Sequence, residues 1–351
     1  MEESKPKRKS VFGAYGPSHI TDIDWRNQNH QRCVMASLVQ GTKILERDRQ
    51  KGRLGPRALA PPWYEFFHFE LFKEIFDRDA RCIFGAVYQY KYPTSNLIPK
   101  YVIAFRGTLP KRETAMRDWL IDIEVILNNL HKQKRFQQAV EIIKEMVASA
   151  GAANVWLAGY SLGAAITLLA AKEMAKMSDQ PHLETYLFNP PFISLSLEWM
   201  ENQELKRGIN VTRTFLRGAI AVAKSAVVGL MADDDGGGSS RQFDNPFAAI
   251  SGWVPHLFVN RGDIICSGYI GYFENREEMK KKGMGRLEML ASRESIIRNF
   301  FSNQKIEPAH LLASAVLHVN SRQSTNLKSD HSHRQWWDPL LTIESKVYRH
   351  E

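Results

Sequence analysis

Cysteine is scarce in this 351-residue chain: there are three, Cys33, Cys82 and Cys266, set far apart. An odd number without metal-ligand spacing argues against a disulfide framework and against a zinc site, and it fits thiols kept reduced inside a cell. Long hydrophobic runs are missing too. Nowhere do about 18 apolar residues follow one another, so no membrane-spanning helix is expected. The amino terminus, Met1 to Lys9, is polar and basic and lacks the apolar stretch that a secretory signal carries. An intracellular, cytoplasmic protein is the expectation. Internal repeats are absent. The formal net charge is +9, but no basic stripe interleaved with aromatics accompanies it, so nucleic acid is not the expected partner. The excess charge lies in the clusters Lys5–Lys9 and Lys280–Arg286. These read as solvated surface, with weak attraction to an anionic membrane surface as the sharper alternative.

What is present is a conventional core former, 44% hydrophobic and 11% aromatic. Residues 1–15 read as a disordered basic tail and 16–351 as a single domain. Arg32 to Glu46 has helical apolar spacing, and the aromatic-dense Pro61 to Phe69 reads as packing against that helix, with a small aromatic ligand site as the alternative. Cys82–Tyr90 and Lys100–Phe105 look like strands joined by a hairpin connection at Tyr92–Asn96. Asp118–Leu130 and Arg135–Ala150 are helical in spacing, and Val155–Ala158, Thr185–Phe188 and Leu257–Asn260 are strand-like. Strands alternating with helices imply an α/β class with a largely parallel sheet, whose functional loops lie at the carboxyl ends of the strands. A segment of about 192–255 reads as an insertion. It carries an apolar helix-like stretch, Thr212–Met231, and a glycine-rich loop, Ala232–Ser240. A lid or membrane-touching element is one reading of it, a peripheral helix with a surface loop the other.

Gly159-Tyr160-Ser161-Leu162-Gly163 joins the apolar run Val155–Ala158 to an alanine-rich helical run, Leu162–Lys176. A serine in a sharp strand-to-helix turn, with glycines two residues either side, is the pattern of a nucleophile elbow. Serine at its ordinary pKa is a poor nucleophile, so Ser161 needs an imidazole base, an acid to orient it and amides for an oxyanion. In a serine hydrolase built on such an elbow the acid and then the base follow in the chain. Asp263 fits the acid, because it follows Leu257–Asn260 by a tight Arg261-Gly262 turn. His331 and His333 lie in a polar loop just before the anchoring pair Trp336-Trp337, and spacing does not choose between them. His310 and His318 fall in an apolar stretch, Pro308–Val319, where packing is the commoner role, and His350 is next to the end. The backbone amide of Leu162 and the end of the Tyr101–Phe105 strand, at Thr108, are the candidate oxyanion donors.

Phe105-Arg106-Gly107-Thr108, Asp118-Trp119-Leu120 with Asp122, the Ser161 elbow, and Val259-Asn260 with Asp263 together resemble the signature series of class 3 lipases. The stretch Leu59 to Phe69 and the terminal Gln335-Trp336-Trp337 resemble a plant branch of lipase-like proteins. That branch is sometimes labelled GDSL esterase/lipase, although this chain has no Gly-Asp-Ser-Leu block. The resemblance implies an α/β-hydrolase fold, with Ser161 as nucleophile, Asp263 as acid, and Thr108 and Leu162 as oxyanion donors. It implies His331 as base, five residues before Trp336, with His333 and His310 as the alternatives. It further implies hydrolysis of a lipid or other acyl ester, with neither a metal nor an organic cofactor. Related plant proteins also serve as signalling scaffolds with little or no activity, which is the alternative from a different class. Tyr160 stands where a histidine is common in the family.

Overall fold

A computed structural model describes residues 11–93, 97–108, 134–177, 182–192, 248–281, 311–322, 324 and 327–350. Its frame is an eight-stranded sheet in sequential order: β1 (Phe69–Asp77), β2 (Cys82–Tyr90), β3 (Tyr101–Phe105), β4 (Val155–Tyr160), β5 (Thr185–Phe188), β6 (His256–Asn260), β7 (Ala315–Asn320) and β8 (Ile343–Tyr348). The strands β3 to β7 run parallel, while β1, β2 and β8 pair antiparallel at the margins. The parallel strands are almost wholly buried. Both of their faces are covered, which is why they read as continuous apolar runs and not as alternating ones.

The alternation of side chains across the sheet sorts β4 into two cores. Val155 and Leu157 join a cluster with the helices Lys134–Ala150, Leu162–Ala175 and Gly268–Lys281, through Ile143, Ile166 and Phe273. Trp156 and Ala158 face the other way, into an aromatic layer with Trp25, Trp63, Phe67, Trp336 and the long helix Gln28–Lys51. That helix is capped by Asn27, whose side chain accepts the Asn29 amide, and it ends at Gly52 with φ 59°. A mostly parallel sheet with helices on both faces is the α/β-hydrolase architecture.

Several expectations change. Residues 1–10 lie outside the described residues, and within the segment 1–15 expected to be a disordered tail Phe12–Tyr15 forms a helical turn. The cause is packing: Phe12 sits against the rings of Trp63, Phe66 and Phe67, and the Tyr15 carbonyl accepts the Trp337 indole N–H. The far end of the 192–255 segment also belongs to the core, since Ile250 and Trp253 are buried and the Trp253 indole bonds Leu183. Residues 193–247, the Thr212–Met231 stretch and the 118–130 helix lie outside the described residues. The aromatic run near 61–69 is packing, with Trp63, Phe67 and Phe69 all buried.

Candidate active site

The elbow is built by close approach. A Cβ on Gly159 would lie 2.5 Å from the Gly163 carbonyl, and one on Gly163 would lie 2.2 Å from the Phe105 carbonyl, so neither position admits a side chain. The helix Leu162–Ala175 can therefore start directly over the ends of β3 and β4. Between the glycines Ser161 takes φ 54° and ψ −124°, a conformation that costs a non-glycine residue about 1–3 kcal/mol. Its amide bonds the Phe188 carbonyl at 2.9 Å, which ties the turn to β5.

Ser161 Oγ lies 3.0 Å from His331 Nε2, and His331 Nδ1 lies 2.7 Å from Asp263 Oδ2. Of the candidate residues the fold thus brings these three into one hydrogen-bonded chain, with side chains drawn from the ends of β4 and β6 and from the turn before residues 333–337. All three are buried. With Asp263 accepting at Nδ1, the imidazole carries its proton there and presents Nε2 as an acceptor for the serine hydroxyl. Burial pushes the Asp263 carboxyl up, but the His331 charge and hydrogen bond, with those of Cys266 and Asn189, outweigh it and hold the group below the usual carboxylate range. Cys266 Sγ lies 3.0 Å and Asn189 Nδ2 2.7 Å from Asp263 Oδ2, and the Ile265 amide donates to Oδ1 at 3.1 Å. The carboxylate is thus fully occupied and fixed. Cys266 has its own thiol pushed well up by burial and then by Asp263, so it acts as a donor and not as a thiolate.

His333, the alternative base, is turned away from this chain. Its ring stacks on Tyr160 at 4.4 Å between centroids and meets Trp337 edge-on, and neither of its nitrogens has a hydrogen-bond partner among the described residues. Burial first, and then the charges of Lys43 and His331, push its pKa well below the usual value. It is a neutral packing group. His310 lies outside the described residues. His318 is buried on β7, stacked on Phe258.

Thr108 follows the end of β3, and its buried hydroxyl has no hydrogen-bond partner among the described residues. The neighbouring Gly107 lies against the turn, where a Cβ would meet Ser161 Cβ at 3.2 Å. Leu162 is the first residue of the elbow helix, and the amides of a first helical turn have no partner within the helix. A hydroxyl without a partner among the described residues and a first-turn helix amide are the kinds of donor that suit an oxygen gaining negative charge.

Residue-by-residue reading missed Asn189 and Cys266 behind Asp263, and two residues that hold the His331 turn. Tyr160 donates its hydroxyl to the His331 carbonyl and lies against the rings of both His331 and His333. Gln335 donates to the carbonyls of Asp330 and Ser332 and accepts from Asn260 and Asn320, which pins the His331 turn to the ends of β6 and β7. The signal for Gln335 was its place beside the tryptophan pair. Tyr160 showed only as a departure from the commoner histidine.

The sequence model of a family described as Lipase (class 3) matches residues 102–213. An Arabidopsis thaliana protein named GDSL esterase/lipase is 41% identical over 349 residues, covering 97% of this chain and 98% of its own length. Among solved structures, a lipase from Rhizopus microsporus var. chinensis has 13% identity and a TM-score of 0.34, with 68% of each chain covered. An esterase from Pyrobaculum calidifontis has 12% identity and a TM-score of 0.24, over 81% of this chain and 97% of its own. Overlays this loose carry no argument.

Proposed function

The chain belongs to the class 3 lipase family, in its plant lipase-like branch, and on that premise we propose a serine carboxylic-ester hydrolase that acts on acyl esters of lipids. Ser161 is the nucleophile, His331 the general base and Asp263 the acid that orients it. The observation that carries the reading is the hydrogen-bonded chain from Ser161 Oγ to His331 Nε2 at 3.0 Å and from His331 Nδ1 to Asp263 Oδ2 at 2.7 Å.

His331 takes the hydroxyl proton as Ser161 Oγ attacks the ester carbonyl carbon, and the carbonyl oxygen becomes an oxyanion held by the Leu162 amide and the Thr108 hydroxyl. Collapse expels the alcohol, which leaves with the proton from His331, and an acyl-enzyme remains. Water then attacks the acyl carbonyl with His331 again as base, and the fatty acid departs as Ser161 regains its proton. Asp263 stays ionised throughout and stabilises the imidazolium. Side chains, backbone amides and water carry every step.

A fluorophosphonate probe should label the wild-type protein and fail to label Ser161→Ala. Persistent labelling of that variant would remove Ser161 from the nucleophile's role. Turnover of a short-chain aryl ester, lost in the same variant, separates the hydrolase from a lipase-like scaffold without activity.

A further inference from the structure

Asn189 directly follows β5, which lies between the strand that delivers Ser161 and the strand that precedes Asp263. We propose that it is a positioning residue, whose side-chain amide clasps Asp263 to the turn that carries His331. As a contribution to catalysis this rests on the hydrolase reading above.

Asn189 Nδ2 donates to Asp263 Oδ2 at 2.7 Å and reaches the carbonyl of Asp330, the residue before the base, at 3.4 Å. Cys266 Sγ is 3.7 Å from the same nitrogen. On the other side of the amide, Oδ1 accepts the Trp336 indole N–H at 2.6 Å. An indole nitrogen only donates and an ionised carboxylate only accepts, so the amide has one orientation that satisfies both. The result is a closed circuit: Asp263 holds His331, the chain from His331 leads to Trp336, Trp336 holds Asn189, and Asn189 holds Asp263. The backbone is fixed as well, with the Asn189 amide on the Phe258 carbonyl at 2.8 Å.

The residue type follows from these demands. Asn189 has φ 46°, a left-handed conformation that asparagine tolerates better than most residues. It is fully buried, and a site there needs a donor and an acceptor on one short planar group. Aspartate would lack the donor and glycine would lack both. Holding a non-glycine residue in this region costs about 1–3 kcal/mol, and such strain collects at functional sites.

The test uses the full-length protein as wild type, Asn189→Gly, Trp336→Phe and the double variant. Glycine keeps the left-handed backbone and deletes the clasp, while phenylalanine deletes the indole donor. The His331 imidazole is titrated by NMR, with its signal assigned through His331→Gln, and kcat, KM and Tm are measured alongside. Loss of a donor to Asp263 concentrates its charge on the His331 Nδ1–H, so the His331 midpoint should move upward in Asn189→Gly. In the same variant kcat should fall roughly 10- to 100-fold, as for other partners that orient a site from behind, with KM little changed. Trp336→Phe should move both in the same direction by less, and the double variant should be no worse than Asn189→Gly, because the two act through one circuit. An unmoved midpoint and kcat with only a lowered Tm would make Asn189 a packing residue and overturn the proposal. If wild type shows no Ser161-dependent turnover, the hydrolase reading falls and the His331 midpoint alone decides the clasp.

Discussion

Two chains of hydroxyl, imidazole and carboxylate are strung across this sheet, and their surroundings differ. At the carboxyl ends of β4 and β6 Ser161, His331 and Asp263 meet at 3.0 and 2.7 Å. On a face of the same sheet Ser345 Oγ lies 2.7 Å from His318 Nδ1, His318 Nε2 lies 2.9 Å from His256 Nδ1, and His256 Nε2 lies 2.9 Å from Glu184. The distances are alike, but the settings are not. Ser161 occupies a left-handed turn at a helix start, with Gly107 packed so close that a Cβ on it would lie 3.2 Å from the serine Cβ. Ser345 lies within an exposed antiparallel edge strand, opposite His318, with its backbone in the ladder. Asp263 is buried among donors, whereas the Glu184 side chain is 40% exposed. Hydrogen-bond reach therefore does not make a nucleophile. What distinguishes the first chain is a serine held out of regular structure, at positive φ where a helix begins.

The largest test of this contrast replaces each serine. Ser161→Ala should lower aryl-ester kcat/KM by at least about 10³-fold, while Ser345→Ala should leave turnover and probe labelling unchanged; a loss in the second variant would erase the distinction. Thr108→Val removes the buried hydroxyl and keeps the shape. It should cost on the order of 10²-fold in kcat, and a wild-type rate would assign the oxyanion to amides alone. The neighbouring imidazoles give a smaller contrast, since His333→Phe should change kcat/KM by less than about threefold while His331→Ala behaves like the serine variant. An inactive His333 variant beside an active His331 variant would exchange their roles.

The second chain should show instead in stability. Burial, then the charges of His256 and Arg32, hold the His318 pKa down to about 3 from the ordinary 6.5. Between those values the unfolded chain binds about one more proton at this position than the folded one, so stability falls as pH falls through that window. Urea midpoints measured from pH 7 down to pH 4 should show that slope. His318→Phe should flatten it without changing turnover at neutral pH.

Much of the frame was legible from local pattern. Cys82–Tyr90 and Thr185–Phe188 coincide with β2 and β5, because buried strands are continuous apolar runs with turns at their ends. The edges were not. β1 buries few of its residues and carries Glu70, Lys73 and Glu74, and β8 is exposed along its length. Apolar and charged residues mix along both edges, so neither shows a continuous apolar run, and only pairing with a neighbour makes each a strand. β7 was visible as an apolar stretch but not as a strand, since short apolar runs do not reveal which element they form. Asn189 stood in plain sight before two prolines, at the end of a core strand. Nothing in its neighbours showed that Asp263 and Trp336, distant in sequence, would come to either side of its amide.

The sequence by itself determined the elbow, because the crowding that demands Gly159 and Gly163 acts among atoms of one turn and the strand end beneath it. It also placed the candidate acid after the serine and the candidate bases after the acid. Tertiary structure decided which histidine meets Ser161. His331 and His333 are two residues apart in one polar loop, and their fates differ because Tyr160 at the end of β4, Asn189 just after β5 and Gln335 within the 333–337 turn fix that loop, with one ring turned to the serine and the other into the aromatic core. Local sterics can be read along a chain. The convergence of distant side chains on one loop depends on packing energies that no single segment contains.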